Sequence, residues 1–152
     1  MEKRIVITGI GVVSSIGIGK KEFWTNLLKG KSGISKVELF DTEHYQSHNG
    51  GEIKNFDPRK FIALRTLKFL GRASRLGVAG AKLAIEDSGL DYKQLSKSKV
   101  SVCMGTTVGE IQPIENLNRD FIKENSLHEE LDKSLMFQSP VNNIPADIAP
   151  VS

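Results

Sequence analysis

The sequence is short of cysteine, of long apolar runs and of histidine, and each shortage excludes a class of protein. Its 152 residues include a single cysteine, Cys103, so an intramolecular disulfide scaffold is excluded and a reducing, cytoplasmic setting is expected. No stretch approaches the roughly 18 consecutive apolar residues of a membrane-spanning helix, and the N-terminus lacks a signal-peptide pattern. Three scattered histidines form no convincing zinc set with one remote cysteine, so we expect surface histidines and no metal or other cofactor.

An excess of charge of one sign is also missing from the chain as a whole. Its 21 basic and 18 acidic side chains leave a formal net charge of +3, and aromatic residues make up 7% of the chain. Nucleic-acid binding favours clustered cations interleaved with stacking aromatics, so no nucleic-acid partner is expected. One segment departs from this balance, because acidic residues are absent from Pro58 to Ile85. The basic cluster there comprises Arg59, Lys60, Arg65, Lys68, Arg72 and Arg75. It is either a solvated helix face or a landing surface for an acidic or phosphorylated partner.

Strand and helix patterns alternate along the chain, which favours an α/β fold. Runs of β-branched residues at 4–8 and 100–104 predict two buried strands, with Cys103 as a small buried hydrophobe in the second. Helical apolar spacing predicts a helix over 20–29, with Gly30 as its C-terminal stop, and a longer, mostly buried one over about 67–88 that ends at Gly89. Strand, helix and strand in that order predict a parallel sheet with right-handed crossovers.

The remaining segments are expected at the surface. Residues 33–58 are polar and irregular, and residues of about 110–138 form a charged surface excursion with one or two helices. The stretch 139–149 resembles the start of another helix, in which Pro145 is tolerated in the first turn.

The glycines that follow the first predicted strand allow two interpretations. Gly9 and Gly11 could let backbone amides approach a pyrophosphate, as in dinucleotide-binding turns. Ser14 stands where the third glycine of that fingerprint belongs, and the next helix begins only near Lys20. A structural turn is therefore favoured over nucleotide binding.

Several segments resemble, in sequence and order, the β-ketoacyl-acyl-carrier-protein synthases, in particular their type II elongating members. The resemblance covers essentially the whole chain, residues 1–152, as the N-terminal part of such a domain. Its main segments are RIVITGIGVVSSIG at 4–17, FW at 23–24, GKSGI at 30–34, FD at 40–41, RASRL at 72–76, AIEDSGL at 84–90 and VCMGTTVG at 102–109.

This resemblance implies a layered α/β fold of the thiolase type, of which the chain holds the N-terminal half only, and a cytoplasmic homodimer acting on acyl carrier protein. In that family a cysteine takes an acyl group from the carrier, and two histidines assist decarboxylation of the malonyl-carrier. The family nucleophile belongs to a Thr-Ala-Cys motif downstream of the segment resembled by 141–149, and the sequence of 152 residues does not contain it. We therefore expect no catalytic residue in this chain and no activity of the isolated polypeptide.

The resemblance also implies roles for individual residues. Val108 corresponds to a position that lines and gates the acyl pocket, and Phe137 to one that lines it across the dimer interface. Arg65 and Lys68, with Arg72 beside them, correspond to basic positions that meet the acidic carrier protein. The leading hypothesis is thus a condensing enzyme of fatty-acid or polyketide synthesis; the alternative is a noncatalytic subunit that binds a carrier protein or complements a second polypeptide.

Overall fold

The computed structural model of the chain describes residues 4–124 and 143–149. The chain divides into two compact units. The first contains residues 1–57 and 80–89, and the second contains 58–79 and 90–152.

Short strands and one helix build the first unit. Strands β1 (Val13–Ser14) and β2 (Gly17–Ile18) pair antiparallel, and so do β3 (Ser35–Lys36) and β4 (Asn49–Gly50). Helix α1 spans Lys20–Leu28. It ends where Gly30 adopts a positive φ of 65° and donates its N–H to the Leu27 carbonyl, as the sequence predicts.

The glycines after residue 8 bring the chain close to helix α3 (Arg72–Ser88), whose last residues belong to the same unit. A Cβ at Gly11 would overlap the carbonyl oxygen of Gly80, and one at Gly9 would overlap that of Ala84. The absence of a side chain at Gly9 and Gly11 therefore permits this close backbone approach to α3.

Helices build the second unit. They are α2 (Leu64–Leu67), the first half of α3, α4 (Tyr92–Leu95), α5 (Gln112–Glu124) and α6 (Asn143–Ile148), with a 3₁₀ turn over Pro58–Lys60. The buried hydrophobic side chains among the described residues all lie in this unit: Ile62, Leu70, Val78, Ala79, Ile144 and Ile148. Pro145 lies in the first turn of α6, as predicted.

Helix α6 packs on α3 at a glycine. A methyl group placed on Gly77 would lie 3.2 Å from Ile148 Cδ1, 3.2 Å from Met104 Cε and 3.4 Å from Ile144 Cγ2. The missing side chain at Gly77 thus makes room for three apolar side-chain ends.

The prediction of two buried strands in a parallel sheet is not met in the described residues. Residues 4–8 and 100–104 belong to no strand, and the two sheets present are antiparallel pairs. Ile5 is 97% exposed and Cys103 is also exposed, so the interpretation of Cys103 as a buried hydrophobe is wrong for this structure. A β-branched run favours an extended backbone, but a strand exists only where a neighbouring segment pairs with it.

The long helix is shorter and less buried than predicted. It begins at Arg72 rather than near Leu67, because Lys68–Gly71 separates it from α2, and only Ser74, Val78 and Ala79 are fully buried in it. Its end at Gly89, which has a φ of 68°, is as predicted. Helix α5 confirms a helix in the early part of the predicted surface excursion, and residues 125–142 lie outside the described chain.

Candidate functional site

Three cations lie close together in the sequence where α2 ends and α3 begins. Arg65 is in α2, Lys68 caps its C-terminus and Arg72 is the first residue of α3. All three are exposed. The predicted carrier-binding residues are therefore exposed on both sides of the short connection between the helices, and their role stays a prediction.

Arg75 is not exposed with the other residues of the basic cluster, although the sequence places it there. Its side chain is half-buried, and its Nη2 donates to the Leu67 carbonyl oxygen at 2.8 Å. A cation placed at the last carbonyls of a helix stabilises the helix dipole, so Arg75 serves to join α3 to α2. Lys68 keeps its ammonium in the exposed cluster, 4.7 Å from the centre of the Phe69 ring, where a cation–π attraction orients it.

The second part of the candidate site is the loop 105–110, which carries Val108. The Gly109 N–H donates to Thr106 Oγ1 at 3.1 Å, and Gly109 has a φ of 70°, which favours glycine. The resulting turn leaves Val108 54% exposed. The role in an acyl pocket that the resemblance implies for Val108 stays a prediction.

Glu110, the last residue of this loop, is difficult to identify as a structural residue from the sequence alone. Glu110 is 3% exposed, and its Oε1 accepts the N–H of Ser74 at 2.5 Å, from 36 residues away along the chain. Its one signal is that it is the only acidic residue between Asp91 and Glu115. An isolated carboxylate among small and apolar residues can mark an internal partner rather than a solvated face.

In the first unit, the turn that contains Gly9 and Gly11 makes contacts within the protein rather than presenting free amides to a nucleotide. The Ile10 N–H donates to Asp87 Oδ2 at 3.0 Å, and Asp87 forms an ion pair with Lys20. The hydrogen bond from Lys20, helped by the Ile10 amide, lowers the pKa of the Asp87 carboxyl below its ordinary value. Because a carboxylate already occupies the amide that would bind a pyrophosphate, the Gly9 and Gly11 turn is explained by packing on α3.

The predictions about metal binding, membrane spans and the remaining site residues can be compared with the structure only where it describes the chain. Within residues 4–124 and 143–149, no group of three or more His, Cys, Asp or Glu side chains is arranged to hold a metal ion. No helix in those ranges has the length and apolar character to cross a membrane. Phe137 and His128 lie outside the described residues.

The comparison with known proteins decides the family. Residues 2–149 match the model of the β-ketoacyl synthase N-terminal domain. The chain belongs to the β-ketoacyl synthase family. It is 35% identical over 113 residues to 3-oxoacyl-[acyl-carrier-protein] synthase 2 of Staphylococcus aureus strain COL, a match that covers 74% of this chain and 27% of that protein.

Solved structures agree with this assignment. The ishigamide ketosynthase/chain length factor superposes with a TM-score of 0.88 at 32% identity, over 95% of this chain and 36% of that one. A type II polyketide synthase acyl-carrier protein in complex with its ketosynthase has a TM-score of 0.74 at 18% identity, over 99% of this chain and 40% of that one, and it supports the fold alone. The predicted family and the thiolase-like α/β fold are confirmed, and this β-ketoacyl synthase chain spans about 27% of the length of its curated relative.

Proposed function

We propose that this chain is the N-terminal part of an enzyme that condenses an acyl thioester with a malonyl-carrier thioester in fatty-acid or polyketide synthesis. The observation that carries the proposal is the family match over residues 2–149, with the structural likeness to ketosynthases. In such a reaction a thiolate takes the acyl group and releases the carrier thiol. Loss of CO₂ from the malonyl unit then supplies the carbanion that attacks the acyl carbonyl and expels the thiolate.

In this proposal, the chain contributes substrate binding rather than the reacting groups. Val108 lines the acyl pocket from the loop 105–110, and Phe137 lines it across the interface of a homodimer. The exposed loop position of Val108 is compatible with that role. The 152 residues contain no Thr-Ala-Cys motif, so a polypeptide of these residues alone, purified without a partner, should form no condensation product. Product formation by that polypeptide would contradict this part of the proposal.

Carrier binding is the second contribution. Arg65, Lys68 and Arg72 are exposed cations in a stretch without acidic residues, and such a surface attracts an acidic protein through a long-range field. The ketosynthase of the complex described above is itself bound to an acyl-carrier protein. The proposal extends to a homodimer or a complementing polypeptide, and to the cytoplasm, where soluble carrier proteins would be met.

A charge-reversal titration tests the carrier surface. An acidic acyl carrier protein is titrated against the chain at low and at moderate salt, for the wild type and for Arg65→Glu/Lys68→Glu. Exposed ion pairs contribute about 0.2–1 kcal/mol each, so losing two weakens binding about 2- to 30-fold, and repulsion from the two introduced glutamates adds to that loss. Lys29→Glu/Lys31→Glu is the matched control, because it reverses the same number of charges at two exposed lysines outside the cluster. Equal weakening by the control, or no binding at either salt concentration, would refute carrier docking at this surface.

The noncatalytic carrier-binding or complementing subunit is the alternative. It rests on the exposed basic residues Arg65, Lys68 and Arg72. The nucleotide sequence after the codon for Ser152 separates the two hypotheses. An in-frame continuation to a Thr-Ala-Cys motif supports the enzyme, and its absence supports the carrier-binding or complementing subunit.

A further inference from the structure

Glu110 is a buried carboxylate that the proposed chemistry does not use. Only 3% of its surface is exposed, and a buried glutamate is rare unless it has partners. Its partner is the N–H of Ser74, at 2.5 Å from Oε1. A buried carboxylate needs compensation for its lost hydration, and the Ser74 N–H supplies a charge-assisted hydrogen bond for it.

The contact caps a helix from a distance. The Gly71 carbonyl accepts the Arg75 N–H at 3.1 Å, which makes Gly71 the N-cap residue of α3 and Ser74 its third residue. A glycine has no side chain to accept the N–H at that third position. The carboxylate of Glu110 takes this place, and it also lies at the end of the helix where the dipole favours negative charge.

Glycine at position 71 is what lets the carboxylate enter. A Cβ on Gly71 would overlap Cδ and both carboxylate oxygens of Glu110. The φ of Gly71 lies outside the left-handed region, so the backbone itself does not require glycine there. Gly71 and Glu110 are therefore neighbours in the structure although they lie far apart in the sequence, and a side chain at position 71 would displace the Glu110 carboxylate.

The same contact anchors the loop that carries Val108. Glu110 immediately follows Gly109, whose N–H is held by Thr106, so the turn is closed on one side and tied to α3 on the other. We propose that Glu110 is a positioning residue, which fixes Val108 by binding the loop 105–110 to the N-terminus of α3. The functional meaning of this position depends on the proposed role of Val108 in the acyl pocket, but the positioning itself can be measured without substrate.

The test separates capping from positioning by moving the carboxylate. In Glu110→Ala, both the cap and the anchor are lost. In Gly71→Asp/Glu110→Ala, the new side chain can cap Ser74 locally, as an N-cap aspartate does, while the loop has no anchor. Two readouts on the full 152-residue chain are compared: hydrogen exchange of the Ser74 amide, and the NMR order parameters of the Val108 methyl groups.

We expect Glu110→Ala to speed Ser74 exchange about tenfold or more, since a hydrogen bond to a charged acceptor is lost, and to lower the Val108 order parameters. The double variant should restore slow exchange at Ser74 but leave Val108 disordered. Glu110→Gln keeps an acceptor oxygen in place, so it should fall between wild type and Glu110→Ala in Ser74 exchange and should retain Val108 order. It also serves if Glu110→Ala fails to fold.

Unchanged Val108 order in Glu110→Ala would overturn the proposal, because Glu110 would then only cap the helix. If Glu110→Ala does not fold, loss of Val108 order in Glu110→Gln with Ser74 exchange still slow would overturn it, because the loop would then not depend on the contact with Ser74. Restored Val108 order in the double variant would overturn it too, because the loop would then follow the helix rather than Glu110. Binding of an acyl-carrier thioester to Val108→Ala tests the pocket role separately. Unchanged affinity there would remove the proposed function of Val108 and leave its positioning by Glu110 intact.

Discussion

Replacing Ile144 by alanine should destabilise the second unit more than any surface change of the same kind. Ile144 is 1% exposed and belongs to α6, whose apolar side chains face Gly77 of α3. The substitution removes the branched side chain beyond Cβ from a packed site. Truncating a buried isoleucine to alanine lowers the free energy of unfolding by about 2–5 kcal/mol, which combines the lost transfer free energy with the cost of the cavity.

This free energy converts to a measurable change in thermal midpoint. For a chain of this size, each kcal/mol shifts the midpoint by about 2–4 °C, so Ile144→Ala should lower it by about 4–20 °C. Ile144→Val keeps most of the contacts and should cost about 0.5–1.5 kcal/mol. Thermal and urea unfolding followed by far-ultraviolet circular dichroism would give the order wild type, valine, alanine.

Ile122→Ala is the matched control for this prediction. Ile122 is the same residue type on helix α5, but it is 77% exposed. A surface substitution of this kind changes stability by less than about 0.5 kcal/mol. If Ile144→Ala and Ile122→Ala gave equal shifts, the packing of α6 against α3 would be refuted.

Three further predictions concern the first unit and the thiol. The lowered pKa of Asp87 means that its ionised form stabilises the fold above the ordinary carboxyl pKa of about 3.9, and this contribution is lost as the pH falls through the folded-state pKa. The difference in thermal midpoint between wild type and Asp87→Asn should accordingly be constant from pH 7 to about 5 and shrink below that, whereas a difference independent of pH would exclude the ion pair with Lys20. Gly11→Ala should destabilise the chain, because its Cβ meets a backbone carbonyl of α3 that cannot move alone. Gly80→Ala should stabilise it by about 0.5–1 kcal/mol, because its Cβ meets no described atom within 4 Å. Denaturant titration should give changes of opposite sign in the free energy of unfolding, and changes of the same sign would disprove the close approach. Cys103 should react with an aromatic disulfide reagent in the native chain as fast as in urea, since it is exposed, and strong protection of the native thiol would contradict that exposure.

The parts of the fold that could be predicted from the sequence are those with local causes. Helix α1 and the end of α3 were predictable because apolar spacing and a terminal glycine lie within one stretch of chain. Gly30 and Gly89 both adopt positive φ angles, a conformation that glycine reaches without steric cost. The basic cluster was likewise visible, because it is a property of consecutive residues.

The parts that could not be predicted have causes distant along the chain. Residues 4–8 have the composition of a buried strand, yet Ile5 and Ile7 are 97% and 85% exposed, because composition does not supply a neighbouring strand. Likewise, the contact between Glu110 and Ser74 joins segments 36 residues apart, and Arg75 leaves the exposed cluster because its guanidinium meets the Leu67 carbonyl. Such pairings depend on how the helices pack, which periodicity does not specify.

The two halves of the proposed site share one support, the first turn of α3. Arg72 of the proposed carrier-binding cluster begins this helix, Arg75 ties it to α2, and the Ser74 N–H holds Glu110 at the end of the loop that carries Val108. Because one helix terminus holds both the charged surface and the apolar loop, loosening it should affect carrier binding and Val108 together. A change such as Arg65→Glu, on the exposed surface of α2, should weaken carrier binding while leaving the Val108 methyl groups unchanged. In the proposed function, the surface that binds the carrier protein and the loop that contacts the acyl chain would then be held in fixed positions by one buried contact, between Ser74 and Glu110.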